Sequence, residues 1–228
     1  MDNQEKWDES YKRNENYMFY PKEEIVKFLN RYIRKKVGIS KFKNICDFSD
    51  RYRALDFGCG IGRQAILLRE FGIDAYGVDI SAEAINMAKE LASHHNYEDM
   101  ESKLTVINSD KIKFDDNYFD LTISAGVLDS MSFNLAKKCI KEINRVTKSW
   151  AFLTLTSGDN NSRFREFRGE EVVETEHEKG TIQSYFNWGK VQELVKETSF
   201  SIDSAHLITD ESVVTKFKHS RYYIVLKK

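Results

Sequence analysis

The chain has 228 residues, the length of one domain of ordinary size. Hydrophobic residues at 41% and charged residues at 31% exclude a disordered or fibrous chain. Thirty-five Lys+Arg against 36 Asp+Glu give a net charge of -1, which argues against a dedicated nucleic-acid binder, because such affinity is mostly phosphate neutralisation by a basic face.

No run approaches the apolar length needed to span a bilayer, so no membrane partner is expected. Residues 1–16 are polar and acidic, unlike a secretory signal, and Cys46, Cys59 and Cys139 are odd in number and widely spaced. A cytoplasmic protein with reduced thiols and no metal site is the resulting expectation.

In chain order, residues 1–50 read as a charged, aromatic, helical extension, with Pro21 opening a helix through Tyr32. From Arg53 onward short apolar runs alternate with amphipathic stretches. Ala54–Phe57 is a strand ending at glycines, and Arg63–Phe71 is a helix. Asp74–Asp79 is a second strand, with Ser81 as N-cap of the following helix. Leu104–Asn108, Phe119–Ala125 and Trp150–Leu155 are further strands, and Leu135, Cys139, Ile140, Ile143 and Val146 repeat at helical spacing. A polar stretch over 157–180 precedes a helix at 189–198 and two β-rich pieces, 201–208 and 221–227, the last expected to pair antiparallel. Strands alternating with helices make an α/β fold, a parallel sheet with helices on both faces.

The strongest signal is Asp56-Phe57-Gly58-Cys59-Gly60-Ile61-Gly62-Arg63. Three of the 11 glycines sit where a strand becomes a helix, and each lets the backbone turn and approach a ligand closely. The helix N-terminus behind them is partly positive. Asp79 ends the next strand, where a carboxylate can accept both hydroxyls of an adenosine ribose. A dinucleotide fingerprint requires glycine at 63, which is Arg, and Asp56 would set a negative charge beside a pyrophosphate. A ligand presenting an ammonium group suits Asp56.

In these segments the chain resembles the class I S-adenosylmethionine-dependent methyltransferases. Asp56–Gly62 is similar to their first motif and Gly77–Ser81 to their ribose-binding segment. Asn108–Lys111 followed by Phe114–Asp120 resembles the adenine-side loop, and Ser124–Leu128 the end of the fourth strand. The resemblance implies a Rossmann-like, three-layer αβα fold with an antiparallel last strand, and S-adenosyl-L-methionine as cofactor. It divides the chain into a helical lid over 1–50 and a methyltransferase domain over 51–228. It implies that Gly58, Cys59, Gly60 and Gly62 pass near the methionine moiety, with Asp56 at its ammonium. It also implies that Asp79 holds the ribose, Ile80 packs on the adenine, Asp110 accepts from the adenine amino group, and the Lys111 backbone faces the ring. Ala125 then presents a carbonyl, and Trp7 and Tyr11 belong to a lid over the cofactor.

No catalytic residue is fixed by these patterns; His177 and Asp129 are the candidates for a base or orienting carboxylate at the carboxyl edge of the sheet. The Asn-Pro-Pro-aromatic and Pro-Cys patterns of nucleobase methylation are absent from a chain whose one proline is Pro21. A small-molecule acceptor with an oxygen or nitrogen nucleophile, on a monomer or homodimer, is therefore expected. The alternatives are a non-catalytic S-adenosylmethionine-binding subunit and a nicotinamide-dependent oxidoreductase.

Overall fold

A computed structural model describes residues 3–107, 111–158 and 169–228. Its centre is a seven-stranded sheet built from β3 (Arg53–Phe57), β4 (Asp74–Asp79), β5 (Leu104–Val106), β6 (Phe119–Ala125), β7 (Thr147–Thr156), β10 (Ser201–Glu211) and β11 (Lys218–Lys227). The spatial order is β10-β11-β7-β6-β3-β4-β5. Strands β3 to β7 run parallel, whereas β11 pairs antiparallel with both β7 and β10. The order reverses at β3, so β3 and its neighbours β4 and β6 frame the crevice in which ligands bind to open α/β sheets.

Both faces of the sheet are covered, which is why its central strands are continuous apolar runs. Leu55 and Leu153 face one core with α5 (Phe133–Val146) and α6 (Trp188–Lys196), through Cys139, Ile143 and Leu194. Ala54 and Phe152 face the other with α2 (Glu23–Phe28), α3 (Arg63–Glu70) and α4 (Ala82–His94). The expected three-layer α/β architecture with its antiparallel last strand is present.

Local chemistry sets the helix starts. Ser81 caps α4 by accepting from the Ala84 N–H at 3.1 Å, and Ser132 caps α5. The 1–50 region is less uniformly helical than its composition suggests. Helix α1 (Asn3–Lys12) is followed by α2 and a π-helical turn over Leu29–Ile33, and then by a hairpin of β1 (Arg34–Lys36) and β2 (Phe42–Asn44). Helix α2 starts at Glu23 after Lys22, so Pro21 precedes the cap instead of opening the helix. Ile25, Phe28, Leu29 and Ile33 are all buried in the second core. Residues 23–33 are therefore part of the main body, and α1 alone rests on a separate small cluster of Tyr11, Ile61 and Ala84. A short hairpin of β8 (Glu170–Val172) and β9 (Ile182–Ser184) lies in the polar stretch.

Candidate functional site

A cavity of about 320 Å³ opens at the carboxyl ends of β3, β4 and β6. The β3–α3 turn forms its floor. Gly58, Gly60 and Gly62 all have positive φ, at 73°, 53° and 84°. The turn is bonded to β4, with the Gly58 and Cys59 N–H groups donating to the Val78 carbonyl at 2.8 and 3.0 Å. A Cβ on Gly58 would lie 2.3 Å from Val127, and one on Gly60 would lie 2.7 Å from the Tyr11 hydroxyl. Both glycines are required by conformation and by space. Gly62, expected near the ligand, is not in the lining: it lets α3 approach α4, where a Cβ would meet that of Ala88 at 3.0 Å.

Two carboxylates flank the turn. Asp79 accepts from the Gly60 N–H at 2.9 Å and the Ser81 N–H at 3.0 Å, which fixes its orientation. Burial raises its pKa, and these backbone donors oppose the rise. Asp56 is 1% exposed, and its Oδ2 has no hydrogen-bond partner among the described residues. Burial pushes its carboxyl up to about 7, against the pull of Arg63. Gln64, also buried and lining the cavity, has neither its amide oxygen nor its nitrogen satisfied. A buried polar group without a partner costs about 1–3 kcal/mol, a cost that a ligand supplying the partner would relieve.

Helix α1 roofs this half. Trp7 and Tyr11 line the cavity with ring centroids 6.5 Å apart. Asp8 accepts from the Ser81 hydroxyl at 2.5 Å and the Glu83 N–H at 3.3 Å, so α1 supplies a second cap to α4. On the other side Glu15 accepts from the Glu178 N–H at 2.8 Å and from the Arg13 guanidinium at 2.6 Å. The Arg13 bond, with the Glu178 and Ser10 donors, holds the Glu15 carboxyl down at about 2.

Ile80 and Ala125 line the cavity as expected, and so does Cys59, whose thiol pKa is raised by burial. Lys111 does not: Arg145 and Glu142 clamp the backbone of Ile112, and Lys111 is left exposed outside the lining. Asp110 lies outside the described residues. Asp129 and His177 both reach the second half of the cavity, under very different conditions. Asp129 is 1% exposed; its Oδ2 accepts from the Thr156 N–H at 2.8 Å, the Thr156 hydroxyl at 2.7 Å and Arg221 at 3.2 Å. Its Oδ1 is buried without a partner. The His177 side chain is 59% exposed, and its Nε2 lies 3.6 Å from the Glu178 carboxylate.

Lys22, Arg221 and Glu178 also line this half, and Gln64 the other; none of these was among the residues expected from sequence. Arg221 had a readable signal, a lone cation opening the apolar strand Tyr222–Leu226; Lys22 had none beyond following the one proline.

A methyltransferase-domain family model matches residues 48–211. A sterol 4-C-methyltransferase of Caenorhabditis elegans is 29% identical over 55% of this chain and 34% of its own length. The chain spans 40% of another curated relative, from Haemophilus influenzae, at 31% identity. Among solved structures, a SAM-dependent methyltransferase from Methanosarcina mazei superposes with a TM-score of 0.63 at 23% identity, covering 79% of this chain and 94% of that one. Magnesium protoporphyrin IX methyltransferase of Synechocystis, with bound SAH, gives 0.58 at 17% identity over 78% and 74%. The glycine turn, the tethered Asp79 and the family match over most of the sheet agree: the chain belongs to the class I S-adenosylmethionine-dependent methyltransferase family.

Proposed function

We propose that the protein transfers a methyl group from S-adenosylmethionine to an oxygen or nitrogen nucleophile of a small molecule. The observation that carries the cofactor half is the unpartnered, buried Asp56 Oδ2 beside two cavity-lining glycines that tolerate no Cβ. Asp56 takes the ammonium of the methionine tail, Asp79 takes the ribose hydroxyls, and Ile80 packs against the adenine. The cofactor supplies an electrophilic methyl on a sulfonium. The chain's own part is to bind, orient and exclude water, which accounts for most of the rate in such displacements. Trp7 and Tyr11 present aromatic faces on the roof, a surface suited to a cation. Residues 1–20 are the lid in this reading, because residues from Ile25 onward are committed to the core.

Asp129 Oδ1 accepts the O–H or N–H of the acceptor and so aims its lone pair, while the bonds from Thr156 and Arg221 keep the carboxylate from rotating. Among the described residues no helix is long and apolar enough to cross a membrane. The test is incubation with methyl-labelled S-adenosylmethionine and separated small-molecule, RNA and protein fractions of a cell extract. Label entering the small-molecule fraction is expected. Label confined to RNA or protein, or entering no fraction despite cofactor binding, overturns the reading.

A further inference from the structure

The two halves of the cavity differ in how their charges are matched. In the cofactor half the cation next to Asp56 is Arg63, at the start of α3, which also donates to the Tyr20 carbonyl at 3.1 Å. In the other half Lys22 and Arg221 converge above Gly126, just past the end of β6. A Cβ built on Gly126 would lie 3.4 Å from Arg221 Nη1 and 3.5 Å from Lys22 Nζ.

These two cations are not equivalent. Arg221 is compensated: it donates to Asp129 Oδ2, to the Thr154 hydroxyl at 3.3 Å and to the Thr156 hydroxyl at 2.9 Å. The Lys22 ammonium has no hydrogen bond or ion pair among the described residues, although Lys22 lines the cavity. Burial and the nearby Arg221 push its ammonium down to about 8. The acids that oppose this are Asp129, already bonded to Arg221, and Glu24; Glu178, elsewhere in the lining, is driven toward its neutral form by burial. A desolvated cation beside a second cation is unfavourable unless an anion arrives between them.

We propose that Lys22, backed by Arg221, binds a carboxylate or phosphate group of the methyl acceptor, which makes that acceptor a small acid. The inference rests on the methyltransferase reading above and narrows its substrate class. The same chemistry has a second source, the carboxylate of the cofactor's own methionine tail. Lys22 is within electrostatic reach of Asp56 and Arg63 as well, so position favours the acceptor through Arg221, which stands beyond β6 bonded to Asp129.

Lys22 contributes to the start of α2 only through its backbone carbonyl, which accepts from the Ile25 and Val26 N–H groups, so side-chain variants keep that helix. The test compares the intact wild-type chain with Lys22→Met and Lys22→Arg. First, affinity for S-adenosylhomocysteine is measured by calorimetry; then the saturated protein is titrated with inorganic phosphate and with benzoate, followed by NMR. Wild type is expected to bind at least one anion saturably, Lys22→Met to bind it at least ~10-fold more weakly, and Lys22→Arg to stay within ~3-fold. S-adenosylhomocysteine affinity is expected to stay within ~3-fold in both variants. Unchanged anion binding in Lys22→Met, or no saturable binding by wild type, overturns the proposal. Loss of ~10-fold or more in S-adenosylhomocysteine affinity overturns it in favour of the cofactor's carboxylate. Failure of wild type to bind S-adenosylhomocysteine at all is a different result, and removes the parent reading with it.

Discussion

Asp56 places a conflict at one residue. Its carboxyl holds a proton up to about pH 7 in the folded chain, whereas an unfolded Asp ionises near pH 4. Folding therefore loses stability as pH rises from about 4 to 7, where only the unfolded state has released the proton, and the loss is constant above that. Asp56→Asn is expected to raise ligand-free stability at pH 8 by ~1–3 kcal/mol in urea denaturation, because it removes a buried charge. The same change is expected to weaken S-adenosylhomocysteine binding roughly 10- to 100-fold, since it removes the partner of an ammonium. In wild type that affinity is expected to rise between about pH 6 and pH 8 as the carboxylate forms, and Asp56→Asn is expected to flatten the profile. A flat wild-type profile would assign the ammonium to another group. Asp56, Gly58, Gly60 and Asp79 were legible because a motif of fixed spacing pins them to one turn. The pairing of Lys22 with Arg221 was not, because residues 199 positions apart meet only when β11 folds back antiparallel beside β7.

At the scale of elements, α1 and the turn that follows it are tied by Asp8 to the cap of α4 and by Glu15 to the Glu178 backbone in the β8–β9 hairpin. Asp8→Ala removes the first tie while Ser81 still caps α4. It is expected to increase proteolytic cleavage between 13 and 20 and to weaken S-adenosylhomocysteine binding roughly fivefold, with little change in global stability. Equal protection from protease in variant and wild type would mean that Asp8 is not what fastens α1. The strand and helix pattern from Arg53 to Val146 was readable because amphipathic periods survive in helices packed on one face, and because buried parallel strands are short apolar runs. The β1–β2 hairpin was not readable: its strands are three residues each, too short to show a period.

For the whole molecule, the sheet and its two cores form one body to which α1 is appended. Phe119 is fully buried in the larger core, and Phe119→Ala is expected to cost ~3–5 kcal/mol, against little for removal of residues 1–20. A large loss of cooperativity on that removal would show α1 to be part of the core. The fold class was legible because strands, helices and the glycine turn all demanded the same βαβ order. The acceptor half was not, because it is assembled from α2's approach, β6, β11 and the hairpin, which share no motif.

On the proposed reading this crevice holds S-adenosylmethionine through Asp56 and the glycine turn. Calorimetry of S-adenosylhomocysteine and of NADH against wild type and Asp56→Asn tests it most directly. Stoichiometric binding of S-adenosylhomocysteine by wild type is expected, weakened at least ~10-fold in Asp56→Asn, with no response to NADH. Binding of NADH with no response to S-adenosylhomocysteine would contradict the account.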